Sequence, residues 1–113
     1  MEREEASNLP LSEQFRIIAK QWVDQDNAAS ILEETKSVVL AERKNDLIKA
    51  NPKMSDAAAE RTARGNPEWK EFVVSMVEAR TKANRLKVQL EYIRMKHGEQ
   101  QSYEATKRQE MRL

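Results

Sequence analysis

Residues 64–72, RGNPEWKEF, hold one of the two glycines and one of the three prolines of the chain, only two positions apart. Glycine suits the left-handed residue that often follows a helix, asparagine is a good N-cap, and proline fits the first helical position. Gly65, Asn66 and Pro67 stand in that order. The stretch therefore predicts that one helix ends and another begins here.

A corner is predicted on the N-terminal side of this boundary. Asn51 and Pro52 are expected to stop an earlier helix. Ser55 is expected to cap a short helix over about 55–64, whose alanines favour helix formation. Residues 51–66 are thus interpreted as a corner between two longer arms, not as a flexible linker.

The second arm carries the clearest periodicity in the chain. Apolar side chains recur alternately four and three residues apart, which is the spacing of a coiled-coil seam. This seam contains Phe72, Met76, Ala79, Ala83, Leu86, Leu90, Ile93 and His97. A helix is predicted over 67–97 or longer, because Lys96, His97 and Gly98 resemble a helix C-terminus but the residues beyond them can also extend the helix.

The first arm is predicted as a helix over about 12–50, with Ser12 as its N-cap. Its apolar positions follow helical spacing less strictly: Phe15, Ile18, Trp22, Ala29, Leu32, Leu40, Leu47 and Ala50. The sequence DQDN at 24–27 leaves two alternatives open, a continuous helix or a break capped by Asp26 or Asn27.

These elements predict an all-α protein, a long antiparallel helical hairpin with a short helix at its corner. The 113 residues fit one domain, and the ends, 1–11 and about 99–113, are expected to be loosely ordered. Charged residues make up 35% of the chain and aromatic residues 5%, so each arm has only a narrow apolar stripe. Assembly into a helical bundle is therefore expected.

The charges allow a register to be predicted. If the turn is centred near residue 59, residues whose numbers add to about 118 lie opposite each other. Opposite charges then meet, with Asp24 and Asp26 facing Arg94 and Lys96, Glu33 and Glu34 facing Arg85 and Lys87, and Arg16 and Lys20 near Glu99.

The cations are concentrated towards the C-terminus. Residues 79–113 hold nine Lys and Arg against four Asp and Glu, whereas residues 1–78 hold 11 against 15. One interpretation is a basic stripe that binds phosphates. The other is that these long side chains cover the interface with the acidic first arm. The basic stripe comprises Arg80, Lys82, Arg85, Lys87, Arg94 and Lys96.

An apolar line is predicted on the side of the second arm opposite the seam. Val74, Val88 and Met95 lie at multiples of seven residues, and Tyr92 completes a compact patch with the last two. A solvent-facing line is normally polar, so these four residues are interpreted as a partner or oligomer interface.

No catalytic, metal-binding or cofactor-binding residues are predicted. The chain has no cysteine, its one histidine, His97, is interpreted as a partly buried or capping residue, and no phosphate-binding loop occurs. No stretch approaches the roughly 20 apolar residues of a membrane span. These observations predict a cytoplasmic protein that is not an enzyme.

The second half of the chain, NPEWKEF through MVEAR and KAN to EATKRQEMRL, resembles a group of small, largely uncharacterised helical proteins of tailed bacteriophages and prophages. The likeness covers about residues 55–113. Such proteins are often encoded near DNA recombination or replication genes. The resemblance implies a phage-type accessory protein, in the host cytosol if phage-encoded. Together with the seam, the apolar line and the lack of catalytic residues, it leads to the hypothesis of a helical hairpin that self-associates and docks on a phage or host DNA-metabolism protein. Direct nucleic-acid binding by the basic stripe and a structural role in the phage particle are the alternatives.

Overall fold

A computed structural model of the chain describes residues 8–112. It contains three α-helices: α1 (Leu11–Ala50), α2 (Asp56–Arg64) and α3 (Pro67–Arg112). The described residues include no β-strand. The predicted all-α fold, two long helices joined through a short corner helix, is confirmed.

Helix α1 is continuous from Leu11 to Ala50, so the alternative without a break at 24–27 is the observed one. The predicted N-cap is displaced, because the helix starts before Ser12. The carbonyl of Pro10 accepts hydrogen bonds from the backbone N–H groups of Glu13 and Gln14, both at 3.0 Å. Pro10 thus occupies the cap position.

The caps of the two following helices are confirmed. The Ser55 hydroxyl accepts a hydrogen bond from the Ala58 N–H at 3.1 Å, at the start of α2. The Asn66 side-chain oxygen accepts one from the Glu68 N–H at 2.8 Å, and Pro67 is the first residue of α3. Each cap satisfies an N–H that has no partner within its own helix.

The conformation predicted for Gly65 is wrong. Its φ is −80° and its ψ is −6°, in the right-handed region, and no described residue has a positive φ. The Gly65 N–H donates to the carbonyl of Arg61, and the Asn66 N–H donates to that of Ala63. Because α2 ends in this right-handed turn, the chain reaches the N-cap of α3 without a left-handed residue.

Helix α3 extends to Arg112, so the longer of the two predicted alternatives is observed. The helix passes through Gly98, and every residue over 94–112 is exposed. Loose ordering of the chain ends stays a prediction, and most of the N-terminal end, residues 1–7, lies outside the described residues.

The chain divides into two compact units. The corner unit is Gln25–Lys82. The terminal unit is formed by Met1–Asp24 with Ala83–Leu113, of which residues 8–24 and 83–112 are described. The unit boundaries fall inside α1 and inside α3.

The corner unit has a thin core. Its buried side chains are Ala29 of α1, Ala59 and Ala63 of α2, and Trp69 of α3. The Trp69 ring stacks on Phe72, with 5.6 Å between the ring centroids. Because three of the four buried residues are alanines, the helices approach closely but bury little apolar surface.

In the terminal unit the buried residues are Ala83, Leu90 and Ile93, all on α3. Across both units, every residue of the predicted seam from Phe72 to Ile93 is buried or half-buried. The seam is therefore confirmed except at its last position. His97 is exposed, which corrects the prediction of a partly buried or capping histidine. It lies well inside α3, where no helix end needs capping.

The predicted register is wrong by about two helical turns. Asp26 and Glu33 both pair with Arg80, not with cations further along α3. Arg16 pairs with Glu13 on its own helix. The cause lies at the corner, where Lys44 pairs with Asp56 of α2 and Arg43 pairs with Glu68. Because α2 lies beside the last turns of α1, α3 begins opposite residue 43 instead of residue 50.

Candidate interaction surfaces

The predicted apolar interface is on the surface of α3. Val88, Tyr92 and Met95, in the terminal unit, are 64%, 57% and 58% exposed, and Val74, in the corner unit, is 45% exposed. Helix formation places residues four and seven apart on one side, so Val88, Tyr92 and Met95 form a single patch. Their predicted role as an interface stays a prediction, and the structure supplies the exposed apolar side chains that it requires.

Arg80 does not belong to a free basic surface. Its guanidinium donates to Asp26 Oδ1 at 2.6 Å, to both carboxylate oxygens of Glu33 at 2.7 and 3.0 Å, and to the Ser30 hydroxyl at 3.2 Å. All four residues belong to the corner unit. The hydrogen bonds from Arg80 lower the pKa of Glu33, and the two carboxylates raise the pKa of Arg80. This network uses every nitrogen of the guanidinium as a donor to α1.

Arg94 has a different environment, within the terminal unit. Its guanidinium carbon lies 5.8 Å from the centroid of the Phe15 ring, a distance typical of a cation–π interaction. A shallow cavity of about 260 Å³ adjoins this pair and is lined by Leu11, Ser12, Phe15, Ile93, Arg94 and His97. Arg94 therefore covers apolar surface between the helices of this unit, as the structural interpretation of the basic stripe predicts.

The other four predicted cations, Lys82, Arg85, Lys87 and Lys96, are exposed. Within the described part of the chain, none of the four forms an ion pair with a carboxylate. Two of the acids that were predicted to face these cations, Asp26 and Glu33, are bound to Arg80 instead. The basic stripe is thus divided, with two arginines packed on α1 and four cations available to a ligand.

One exposed pair was not predicted. Tyr103 is 63% exposed, and the Lys107 ammonium lies 5.5 Å from the centroid of its ring. The same arrangement occurs at Tyr92, where the Lys96 ammonium is 6.0 Å from the ring centroid. The tail was interpreted as a loosely ordered end, so its aromatic residue was not considered. The identical four-residue spacing in both pairs was the available signal.

No metal centre is formed by the part of the chain that the structure describes, since no three His, Asp or Glu side chains come together there. Among residues 8–112, no helix has the length and apolarity needed to cross a membrane. Comparison with protein-family models, with curated proteins and with solved structures finds no match to the chain.

Proposed function

We propose that this protein is a non-catalytic interaction protein that self-associates through the exposed apolar patch of α3. The observation that carries the proposal is the exposure of Val88, Tyr92 and Met95, each above one half, on a single side of one helix. Contiguous exposed apolar side chains are typical of protein–protein interfaces.

The energetics of the hairpin favour the same conclusion. None of the larger side chains is fully buried in the described chain, and four of its seven buried residues are alanines. Small folds bury a low fraction of their apolar surface and often gain stability by oligomerisation. A second copy covering the α3 patch supplies the missing burial.

The biological setting of the proposal rests on the resemblance to phage-encoded helical proteins. It implies that the assembled hairpin docks on a protein of phage or host DNA metabolism. A docking role needs no catalytic residues, and the exposed patch offers the apolar anchors that such interfaces use.

Self-association is tested by light-scattering mass measured over a range of protein concentrations. The wild-type chain is expected to form a dimer or larger species, and Val88→Glu is expected to shift it to the monomer. The matched control is Val38→Glu, because Val38 is 54% exposed on α1, outside the patch. A wild-type monomer at all concentrations would overturn the proposal, as would equal effects of the two substitutions.

Docking is tested separately with a photo-crosslinking amino acid at position 92, in cells that contain the phage pathway. We expect the crosslinked partner to be a replication or recombination protein. The same amino acid at position 38 is the control. Crosslinks from position 92 only to further copies of this chain would limit the function to self-association.

A further inference from the structure

Five side chains form a line along α3 in the terminal unit, with spacings of seven, four, seven and four residues. They are Arg85, Tyr92, Lys96, Tyr103 and Lys107. Eleven residues make slightly more than three turns of an α-helix, so residues eleven apart differ by only about 20° around the axis. This cation–tyrosine strip therefore keeps to one side of the helix and alternates positive charge with aromatic rings.

Both tyrosines of the strip are accessible. Tyr92 is 57% exposed and Tyr103 is 63% exposed. Each has the lysine four residues ahead placed over its ring, at 6.0 Å for Lys96 and 5.5 Å for Lys107. The cation–π contact holds the lysine beside the ring and leaves ring surface open to solvent. A ligand on the tyrosine thus meets an ammonium group as well.

The surrounding charge favours an anionic ligand. The described residues of the terminal unit hold nine Lys and Arg against six Asp and Glu, whereas the corner unit holds ten against ten. Glu91 and Glu104 are each one residue from a strip tyrosine, and so lie about 100° away around the helix. Glu99 and Glu110 are nearer, each three residues after a strip lysine, yet no ion pair joins either of them to Lys96 or Lys107 in the described residues.

We propose that the cation–tyrosine strip binds single-stranded nucleic acid. Proteins that bind single strands combine cations that follow the phosphates with aromatic side chains on which bases stack. From Arg85 to Lys107 the strip spans about 33 Å, and its two tyrosines are about 16 Å apart. Arg85, Lys96 and Lys107 follow one another at intervals of about 16 Å, so they suit phosphates that are more than one nucleotide apart, and Tyr92 and Tyr103 suit bases between them.

A single strand fits this strip better than a duplex does. In a duplex the faces of the bases are already stacked on one another, so the tyrosine rings would have no base to stack on. Unstacked bases in a single strand present their faces to aromatic side chains. The strip thus assigns a nucleic-acid activity beyond the protein-interaction role. Tyr92 belongs to both surfaces, so a second copy on the apolar patch competes with a base at Tyr92, whereas Tyr103 lies outside the patch.

Binding is measured with the full-length protein and fluorescently labelled oligonucleotides of about 16 nucleotides, within the usual site sizes for single strands. DNA and RNA of one sequence and the corresponding DNA duplex are compared. Single strands of at least one kind are expected to bind more tightly than the duplex. For three phosphate contacts, the logarithm of the affinity should fall with the logarithm of salt concentration at a slope of about −2.

Two sets of variants test the parts of the strip. Tyr103→Ala is expected to weaken single-strand binding by at least about fivefold, whereas Tyr103→Phe keeps the stacking surface and the affinity. The double variant Lys96→Gln, Lys107→Gln should reduce the salt slope by about 1.4. Its control, Lys49→Gln with Lys53→Gln, removes the same charge from exposed positions of the corner unit and should change neither quantity.

Three results would overturn the proposal: no binding at low salt, equal affinity for duplex and single strands, or an affinity unchanged by Tyr103→Ala.

The test of nucleic-acid binding can be separated from the test of self-association. The double lysine variant should retain the wild-type light-scattering mass. Conversely, Val88→Gln, which adds no charge beside Arg85 and Tyr92, should lose the assembled species and keep salt-dependent binding to single strands.

Discussion

The corner unit and the terminal unit share the same two long helices, but among the described residues ion pairs join different helices only in the corner unit. In the corner unit, Arg80 connects two acids of α1, and further ion pairs link Arg43 to Glu68 and Lys44 to Asp56. In the described part of the terminal unit no ion pair crosses between helices, and the cross-helix charged contact is Arg94 over the Phe15 ring.

This difference separates two uses of charged side chains, pairing between helices in the corner unit and exposure to solvent in the terminal unit. Charge pairs in the corner unit fix which residues lie opposite each other, because a bidentate guanidinium–carboxylate contact is directional. The terminal unit buries apolar residues without using its outer cations, which therefore remain available. We infer that the Arg80 network sets the register of the helices within the corner unit, whereas the exposed side chains of the proposed binding surfaces lie mainly in the terminal unit.

The largest expected effects come from truncating the few large buried side chains. Trp69→Ala in the corner unit should lower the free energy of unfolding by about 3–5 kcal/mol, and Ile93→Ala in the terminal unit by about 2–5 kcal/mol. Chemical denaturation followed by circular dichroism measures both. Val38→Ala, at an exposed site, should change the value by less than about 0.5 kcal/mol. If Ile93→Ala matched that control, the terminal unit would have no core of its own.

A smaller loss is expected from Arg80→Met, which keeps the apolar stem but leaves Asp26 and Glu33 without their cation. Arg85→Met removes the same charge from an exposed side chain of the terminal unit that forms no ion pair in the described chain. Thermal unfolding should show a clear loss of stability for the first variant and almost none for the second, with the gap narrowing at high salt. Equal losses would contradict the assignment of register to the Arg80 network.

Gly98→Ala is expected to be stabilising. Gly98 lies inside α3, its φ is not positive, and a Cβ built on it has no neighbour within 4 Å. Replacing an exposed helical glycine by alanine gains about 0.5–1 kcal/mol. The free energy of unfolding from chemical denaturation and the helical signal in circular dichroism should both increase. No gain would indicate that α3 ends near residue 97 in solution, as its local sequence also allows.

The smallest expected effect is the dependence of the corner unit on pH. Arg80 holds the pKa of Glu33 below its ordinary value of 4.5. The charged carboxylate therefore stabilises the fold above the ordinary pKa, and this contribution is lost as the pH falls through the lowered one. Glu33→Gln should reduce stability at about pH 7 and weaken the further decrease as the pH falls below 4.5. An unchanged acid profile would remove Glu33 from the network.

Much of the secondary structure could be predicted because its causes are local. Ser55 and Asn66 cap their helices with hydrogen bonds to residues two or three positions ahead. The seam from Phe72 to Ile93 follows from spacing alone, since residues three and four apart share one side of a helix. Gly65 ends α2 as predicted, but without the left-handed conformation that its identity suggested. At Gly98 the local sequence left both a helix end and a longer helix open, and α3 continues through it.

For the candidate surfaces, too, the sequence predicted the features with local causes and missed those that depend on contacts across the hairpin. The exposure of Val88, Tyr92 and Met95 was predictable from their position opposite the seam. Whether each cation is paired or exposed was not predictable, because the pairing depends on which acids lie opposite it on the other helix. Tyr103 and Lys107 were overlooked since the extension of α3 beyond Gly98 was left open, although their spacing repeats that of Tyr92 and Lys96.

The sequence by itself determined that this protein is a hairpin of two long helices with a capped corner and a narrow apolar seam, because caps and periodicity act over a few residues. Only the tertiary structure decided the register of the two long helices and, with it, which cations are paired with carboxylates. Arg80 meets Glu33 and Asp26 across 47 and 54 residues of chain. Such a pairing depends on how α2 packs beside the end of α1, and a shift of two turns there changes the partner of every charge along the hairpin.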